Sequence, residues 1–132
     1  MQLIDHVSIG VPELDAARPF YDSIMKVLGA AKVYDLPTAL GYGERCSADD
    51  TVSTYLAVYL DPGRIGDNKR HWCFKAPSRQ QVDAFFAAGL AAGGCSDGEP
   101  GLRPHYHRYY YAAFLLDPAG NRVEAVCHSA PA

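Results

Sequence analysis

Seven residues late in the chain, HYHRYYY from His105 to Tyr111, bring two imidazoles, one guanidinium and four phenols together. Imidazoles bind metals or move protons near neutral pH. Phenols donate hydrogen bonds, and a guanidinium grips carboxylates or phosphates. A metal site, a platform for stacked bases and the wall of a pocket are all open readings. Alternation along an extended chain puts His105, His107 and Tyr109 on one side, although Pro104 favours a loop here over a central strand. In the pocket reading His105, His107 and Tyr109 assist proton transfer, while Arg103 and Arg108 bind an acidic group of the substrate. The competing reading is a loop packed on a subunit surface, where Tyr and Arg are favoured. A metal held by His105, His107 and His128 would lack a carboxylate or cysteine in the same segment. The adjacent pairs Cys127-His128 and Asp5-His6 are expected to point to opposite strand faces, which argues against a dyad in either.

The bulk of the chain narrows these options. It has 132 residues, 48% apolar and 20% charged, with a formal net charge of -3. That balance suits one compact domain. A nucleic-acid binder carries a basic surplus to meet phosphates, so stacking on bases is disfavoured and no nucleic-acid partner is expected. No basic run suits a membrane surface, and no apolar run approaches the roughly 20 residues of a membrane span. The start, MQLIDHVSIG, lacks the pattern of a secretion signal, so a cytoplasmic location is expected. Cys46, Cys73, Cys95 and Cys127 form no CxxC pair and read as reduced thiols.

An internal repeat supplies the frame. A shift of 65 residues lays DHVSIGVPELDAARPFYDSIMKVLGA on RHWCFKAPSRQQVDAFFAAGLAAGGC without a gap, aligning His6 with His71, Pro12 with Pro77 and Gly29 with Gly94. Each copy opens on an alternating strand: Val7, Ile9 and Val11 in the first, Trp72, Phe74 and Ala76 in the second. A helix follows. In the first, Leu14, Ala17, Tyr21, Ile24 and Leu28 form the apolar stripe, with Gly29 as the stop and Pro19 predicting a kink or a late start. In the second, Ser78 and Gln81 form a capping box, Val82, Phe85, Phe86 and Leu90 the stripe, and Gly93-Gly94 the stop. Strand-like segments come next, at about 31–36, 39–45 and 52–60, then about 95–99, 109–116 and 121–127. The last two are joined by DPAG, a type I turn. The expected fold is α+β, two βαβββ modules of about residues 1–62 and 67–132, forming a cupped mixed sheet with helices outside.

The repeat also relocates the chemistry. His6 and His71 occupy matched positions, so a pseudo-twofold axis can bring them to one place. Glu124 lies in a mostly apolar strand, and the same shift sets Tyr59 opposite it, both 53 residues beyond their histidines. Two imidazoles and a carboxylate are the ligand set of facial Fe(II) centres, and related sets bind zinc. Three ligands leave room for water and substrate, with Tyr59 as a substrate-binding residue. The bland alternative is a pair of partly exposed histidines and a solvated glutamate.

These segments resemble the vicinal oxygen chelate superfamily, also called the glyoxalase / bleomycin resistance protein / dioxygenase fold. The likeness is carried by DHVSIGVPELDAARPFYDSIMKVLG, HWCFKAPSRQQVDAFFAAGLAAGG and YYAAFLLDPAGNRVEAVCH, and is most specific in DPxGxxxE, Asp117 to Glu124. The resemblance implies one divalent metal ion (Fe, Mn, Ni or Zn) on His6, His71 and Glu124. It implies a small-molecule substrate with adjacent oxygens, a homodimer, and lyase, isomerase or ring-cleaving dioxygenase chemistry. One departure stands out. Glyoxalase I has a further ligand, usually glutamate, late in the first module, whereas TVSTYLAVYLDP has no acid before Asp61. Three-liganded chemistry is therefore expected. The alternative within the family is a metal-free binding protein of the bleomycin-resistance type.

Overall fold

The computed structural model describes residues 3–132. The chain is α+β and runs β1 (His6–Val11), α1 (Leu14–Leu28), β2 (Lys32–Leu36), β3 (Ala39–Gly43), β4 (Tyr55–Leu60), β5 (His71–Lys75), α2 (Arg79–Ala91), β6 (Cys95–Leu102), β7 (Tyr111–Leu116) and β8 (Arg122–Cys127). This is βαβββ twice. Each module builds a four-stranded mixed sheet, β1-β4-β3-β2 and β5-β8-β7-β6. In each the first strand runs parallel to the last and the remaining pairs are antiparallel.

Alternation decides what each sheet buries. Ile9 and Val11 of β1 lie with Leu56 and Val58 of β4 in the core, as do Val123, Ala125 and Cys127 of β8. Phe20, Tyr21 and Ile24 of α1 and Val82 and Phe85 of α2 fill the space between, in one contiguous apolar cluster. Each such side chain contributes roughly 1.5–3 kcal/mol when fully buried. The two helices pack against each other, and the sheets are not hydrogen-bonded to one another. The cupped sheet therefore exists within one chain as two separate halves.

Three local features differ from their sequence-level expectations. Helix α1 starts at Leu14 rather than after Pro19. The proline forfeits one intrahelical bond, and the buried face of Leu14, Ala17, Phe20, Tyr21, Ile24 and Met25 offsets it. In α2, Leu90 is exposed and Gly89 takes the buried position. A Cβ there would lie 2.3 Å from Leu115 Cδ1 and 3.3 Å from Ile24 Cγ2, so only glycine permits this approach. Finally, β6 extends to Leu102.

The turn after β7 joins the modules. Gly120 has φ 92°, and its amide donates to the Asp117 carbonyl at 2.9 Å. The buried Asp117 carboxylate accepts from the amides of Ala119 and Asn121 at 2.9 and 2.8 Å, from Asn121 Nδ2 at 3.0 Å, and from the Tyr21 hydroxyl at 2.5 Å. Burial, reinforced by the Asp117 charge, holds the Tyr21 phenol well above its usual value. Asn121 Nδ2 also donates to the Gly10 carbonyl at 3.3 Å. Asp117 is thus a structural anchor, and the same motif seven residues on places Glu124.

Among the described residues no helix is long and apolar enough to cross a membrane. All four cysteines are free thiols.

Candidate metal centre

On β8 the core side is taken by Val123, Ala125 and Cys127, so Arg122, Glu124 and Val126 share the opposite face. The pairing of β5 with β8 sets Cys73 against Glu124 and His71 against Arg122. Phe114 of β7 flanks Glu124 on its other side. Glu124 is only 2% exposed, while the His71 side chain is 40% exposed. His71 Nε2 lies 3.1 Å from Glu124 Oε1. The second carboxylate oxygen, Oε2, accepts from the Tyr110 hydroxyl at 2.6 Å.

Two neighbours of Glu124, Tyr110 and Cys73, are held in their neutral forms. Burial first, and then the bond to Glu124, drive the Tyr110 phenol above its usual range. Cys73 is exposed as a residue, yet its thiol lies against Glu124 and Tyr110 and is pushed up to about 12 by burial and by the carboxylate. It is a thiol at neutral pH and not a nucleophilic thiolate.

His6 opens β1. Its Nδ1 meets Asp5 Oδ2 at 2.6 Å, and that hydrogen bond is the main cause of the lowered Asp5 pKa. The expectation that Asp5 points away from its neighbour therefore fails. Asp5 precedes the strand, in a bend, so strand alternation does not apply to it. With Nδ1–H donated to a carboxylate, the imidazole presents Nε2 outward, as an oriented metal ligand does. The ring stacks on Tyr55, centroids 4.9 Å apart and planes 15° from parallel, and Arg45 lies over Tyr55.

The structure brings His71 and Glu124 together and leaves His6 on the other sheet. Among the described residues no three His, Cys, Asp or Glu side chains within the chain are grouped closely enough to hold an ion. His71 and Glu124 by themselves fit one. Their 3.1 Å separation suits two neighbouring ligands with bonds of about 2.0–2.2 Å, and the Tyr110 hydroxyl gives the carboxylate an outer hydrogen bond.

The strand register corrects the repeat. Ser8 faces Ala57 across β1 and β4, whereas Cys73 faces Glu124 across β5 and β8. The counterpart of Glu124 is therefore Ala57 and not Tyr59. Two extra residues in the second module between its first and last strands shift the alignment, and a gapless repeat read on the first strand and helix is blind to them. Tyr59 lies two residues further along the same face, exposed, with its ring over Gly10.

The segment His105 to Tyr111 forms two successive turns rather than an extended chain. The Tyr106 amide bonds the Arg103 carbonyl at 3.0 Å and the Tyr110 amide the His107 carbonyl at 3.1 Å. Alternation thus does not order these side chains. His105 is exposed against Tyr106, centroids 4.2 Å apart. His107 Nε2 meets His128 Nδ1 at 2.8 Å. Tyr109 carries Arg108 over its ring at 4.6 Å. Arg103 donates to the Glu99 carbonyl at 2.8 Å and lies over Phe114, on the Glu124 face. Arg122, on that same face, lies 4.7 Å above the Phe114 ring. Sequence reasoning missed Arg122 and Cys73, which strand alternation from Glu124 and His71 would have found. It also missed Tyr110, which no local pattern marks.

The model of the Glyoxalase/Bleomycin resistance protein/Dioxygenase superfamily matches residues 3–125. A glyoxalase/bleomycin resistance protein from Albidiferax ferrireducens T118 is 29% identical in sequence, covering 94% of this chain and 98% of its own, with a TM-score of 0.79. A family enzyme from Burkholderia phytofirmans PsJN is 20% identical, covering 95% and 98%, at 0.66. Lactoylglutathione lyase from Agrobacterium tumefaciens is 23% identical, covering 96% and 94%, at 0.63. The last two likenesses concern the fold alone. No curated protein matches the chain.

Proposed function

The chain belongs to the glyoxalase/bleomycin resistance protein/dioxygenase superfamily, and from that premise we propose that it is a metal-dependent enzyme acting on a small molecule with two adjacent oxygens. The ligand set is His6, His71 and Glu124, with His6 supplied by a second copy of the chain. The observation that carries this reading is the 3.1 Å approach of His71 Nε2 to the buried Glu124 Oε1 on paired strands.

Two features support the dimer. β1 and β5 are free edges of their sheets, and free edges demand cover. Leu3, Ile4 and Trp72 are exposed around an apolar cleft of about 560 Å³ between the two modules. A twofold pair of copies would cover both and set each outward face against its complement, making two identical sites.

When bound, a divalent ion polarises the substrate oxygens and stabilises negative charge developing on them. The chain supplies the rest. Ala57 stands where the first module would carry its acid. Arg103 puts positive charge beside the site for an acidic substrate group, while Arg122 is paired with Asp97 at 2.7 Å. His105 and Tyr109 are the proposed proton carriers, while His107 is engaged by His128. The absence of an acid at position 57 favours thiol-transfer or ring-cleaving chemistry over base-driven isomerisation.

Mixed dimers test the proposal. His6→Ala and Glu124→Gln chains, each expected to lose metal alone, are co-refolded. A site shared between copies restores one intact set per mixed dimer, so the mixed dimer, once separated from the two parental-variant dimers, holds about half the parental metal content by elemental analysis. A parent that takes up no Fe(II), Mn(II), Ni(II) or Zn(II) sinks the enzyme reading and leaves the metal-free binding protein.

A further inference from the structure

We infer that Tyr110 is a positioning residue for the Glu124 carboxylate: it occupies Oε2, so that Glu124 offers a metal only Oε1, and the turns from Arg103 to Tyr110 serve to hold it there. This rests on the metal reading above and deepens it. The two oxygens of Glu124 are differently committed. Oε1 faces the half-exposed His71, and Oε2 is closed off by a phenol at 2.6 Å. The carboxylate is only 2% exposed, so its hydrogen-bond partners come chiefly from the side chains packed on it.

Tyr110 is itself fixed from every side. Its amide bonds the His107 carbonyl, and its carbonyl accepts the Arg103 amide at 2.7 Å. Its ring is boxed by Tyr106, His128 and His107, at centroid distances of 4.7, 5.4 and 5.6 Å. His128, one residue past the end of β8, meets the Tyr110 ring edge-on. The box is closed by hydrogen bonds of fixed direction. The Tyr109 amide donates to His107 Nδ1 at 3.1 Å. The neutral ring then carries its proton on Nε2 and donates it to His128 Nδ1 at 2.8 Å. A carboxylate held to one oxygen occupies one coordination position rather than two. The position saved is what a substrate chelating through two neighbouring oxygens requires. The first module has neither the acid nor the clasp, since Ala57 stands at the matching register.

The metal-free parent, Tyr110→Phe and His128→Ala are titrated with Zn(II) and with Co(II). Tyr110→Phe removes only the hydroxyl and keeps the ring in its box. Its Zn(II) affinity is expected to fall about 10- to 100-fold, the usual cost of losing an outer hydrogen bond to a ligand. Its Co(II) visible bands are expected to weaken as Oε2 joins and the coordination number rises. His128→Ala, which does not touch Glu124, is expected to shift both readouts the same way by a smaller factor. Parental affinity and spectrum in Tyr110→Phe overturn the inference alone. Weaker binding with an unchanged Co(II) spectrum overturns it too, because that marks a structural role. A parent that binds neither metal overturns this inference and the metal reading together.

Discussion

The outward faces of the two sheets began from one plan and now differ. Both strands β1 and β5 open on a histidine, and both run parallel to the last strand of their module. On the second face, Cys73, Glu124 and Phe114 are packed under Tyr110 and two arginines. On the first, the matching strands carry Ser8, Gly10 and Ala57, and the histidine is braced by Asp5 instead. One half buries a carboxyl group, while the other sets small residues beneath the rings of Tyr34 and Tyr59. The lesson is that the scaffold fixes where a ligand can project, and the cover over each face decides whether a charge can stay there.

The largest expected effect comes from stripping the second face. Glu124→Ala should abolish stoichiometric metal, with affinity falling by more than the roughly 10- to 100-fold that an outer-shell change costs. Equilibrium dialysis at micromolar metal reads it. Retained metal would show that the two faces are not divided as described. Next is the attempt to make the faces alike. Ala57→Glu places an acid in register with Ser8 and should tighten metal binding on the order of tenfold, about 1.4 kcal/mol. Tyr59→Glu, the position a gapless repeat would choose, should give no gain. The reverse result would restore the 65-residue alignment over the strand register.

Smaller effects probe how the halves meet. Gly89 aligns with Ile24 in the repeat, and the two lie against each other where the helices cross. Gly89→Ala must displace Leu115 and should cost about 1–3 kcal/mol, read as a lower denaturation midpoint with an unchanged slope. The mildest test is alkaline. Tyr21 and Tyr42 belong to the first module, and burial, then the neighbouring Asp117 and Asp22 respectively, raises both phenols above their ordinary value. Unfolded, they would ionise near 10. The unfolded state therefore loses protons first, so the stability these groups confer is complete below about pH 10 and declines as pH rises further. Absorbance at 295 nm should show Tyr21 and Tyr42, along with Tyr110 and Tyr111, ionising late, with the unfolding transition.

Much of this was legible in the chain. Period-two alternation located β1 and β5, the Ser78–Gln81 pair located the start of α2, and DPAG located the last turn, because each is a local rule acting within a few residues. His6, His71 and Glu124 were legible as chemistry for the same reason: a repeat preserves local position. The strand register was not, since loops between the helix and the last strand differ in length and hydrogen bonding across strands does the counting. Asp5 was misjudged because one residue of bend suspends strand alternation. Tyr110 was hidden among four tyrosines, three of which face elsewhere.

By itself, then, the sequence determined the doubled βαβββ plan, most of the buried stripes and the candidate residues proposed to bind a metal, all set by short-range periodicity and side-chain chemistry. Only the tertiary structure decided that His71 and Glu124 meet while His6 stands on the other sheet, that Ala57 answers Glu124, and that Tyr110 closes over the carboxylate. Those relations join residues far apart in the chain, and they are fixed by helix packing at Gly89 and by strand pairing, which no local pattern encodes.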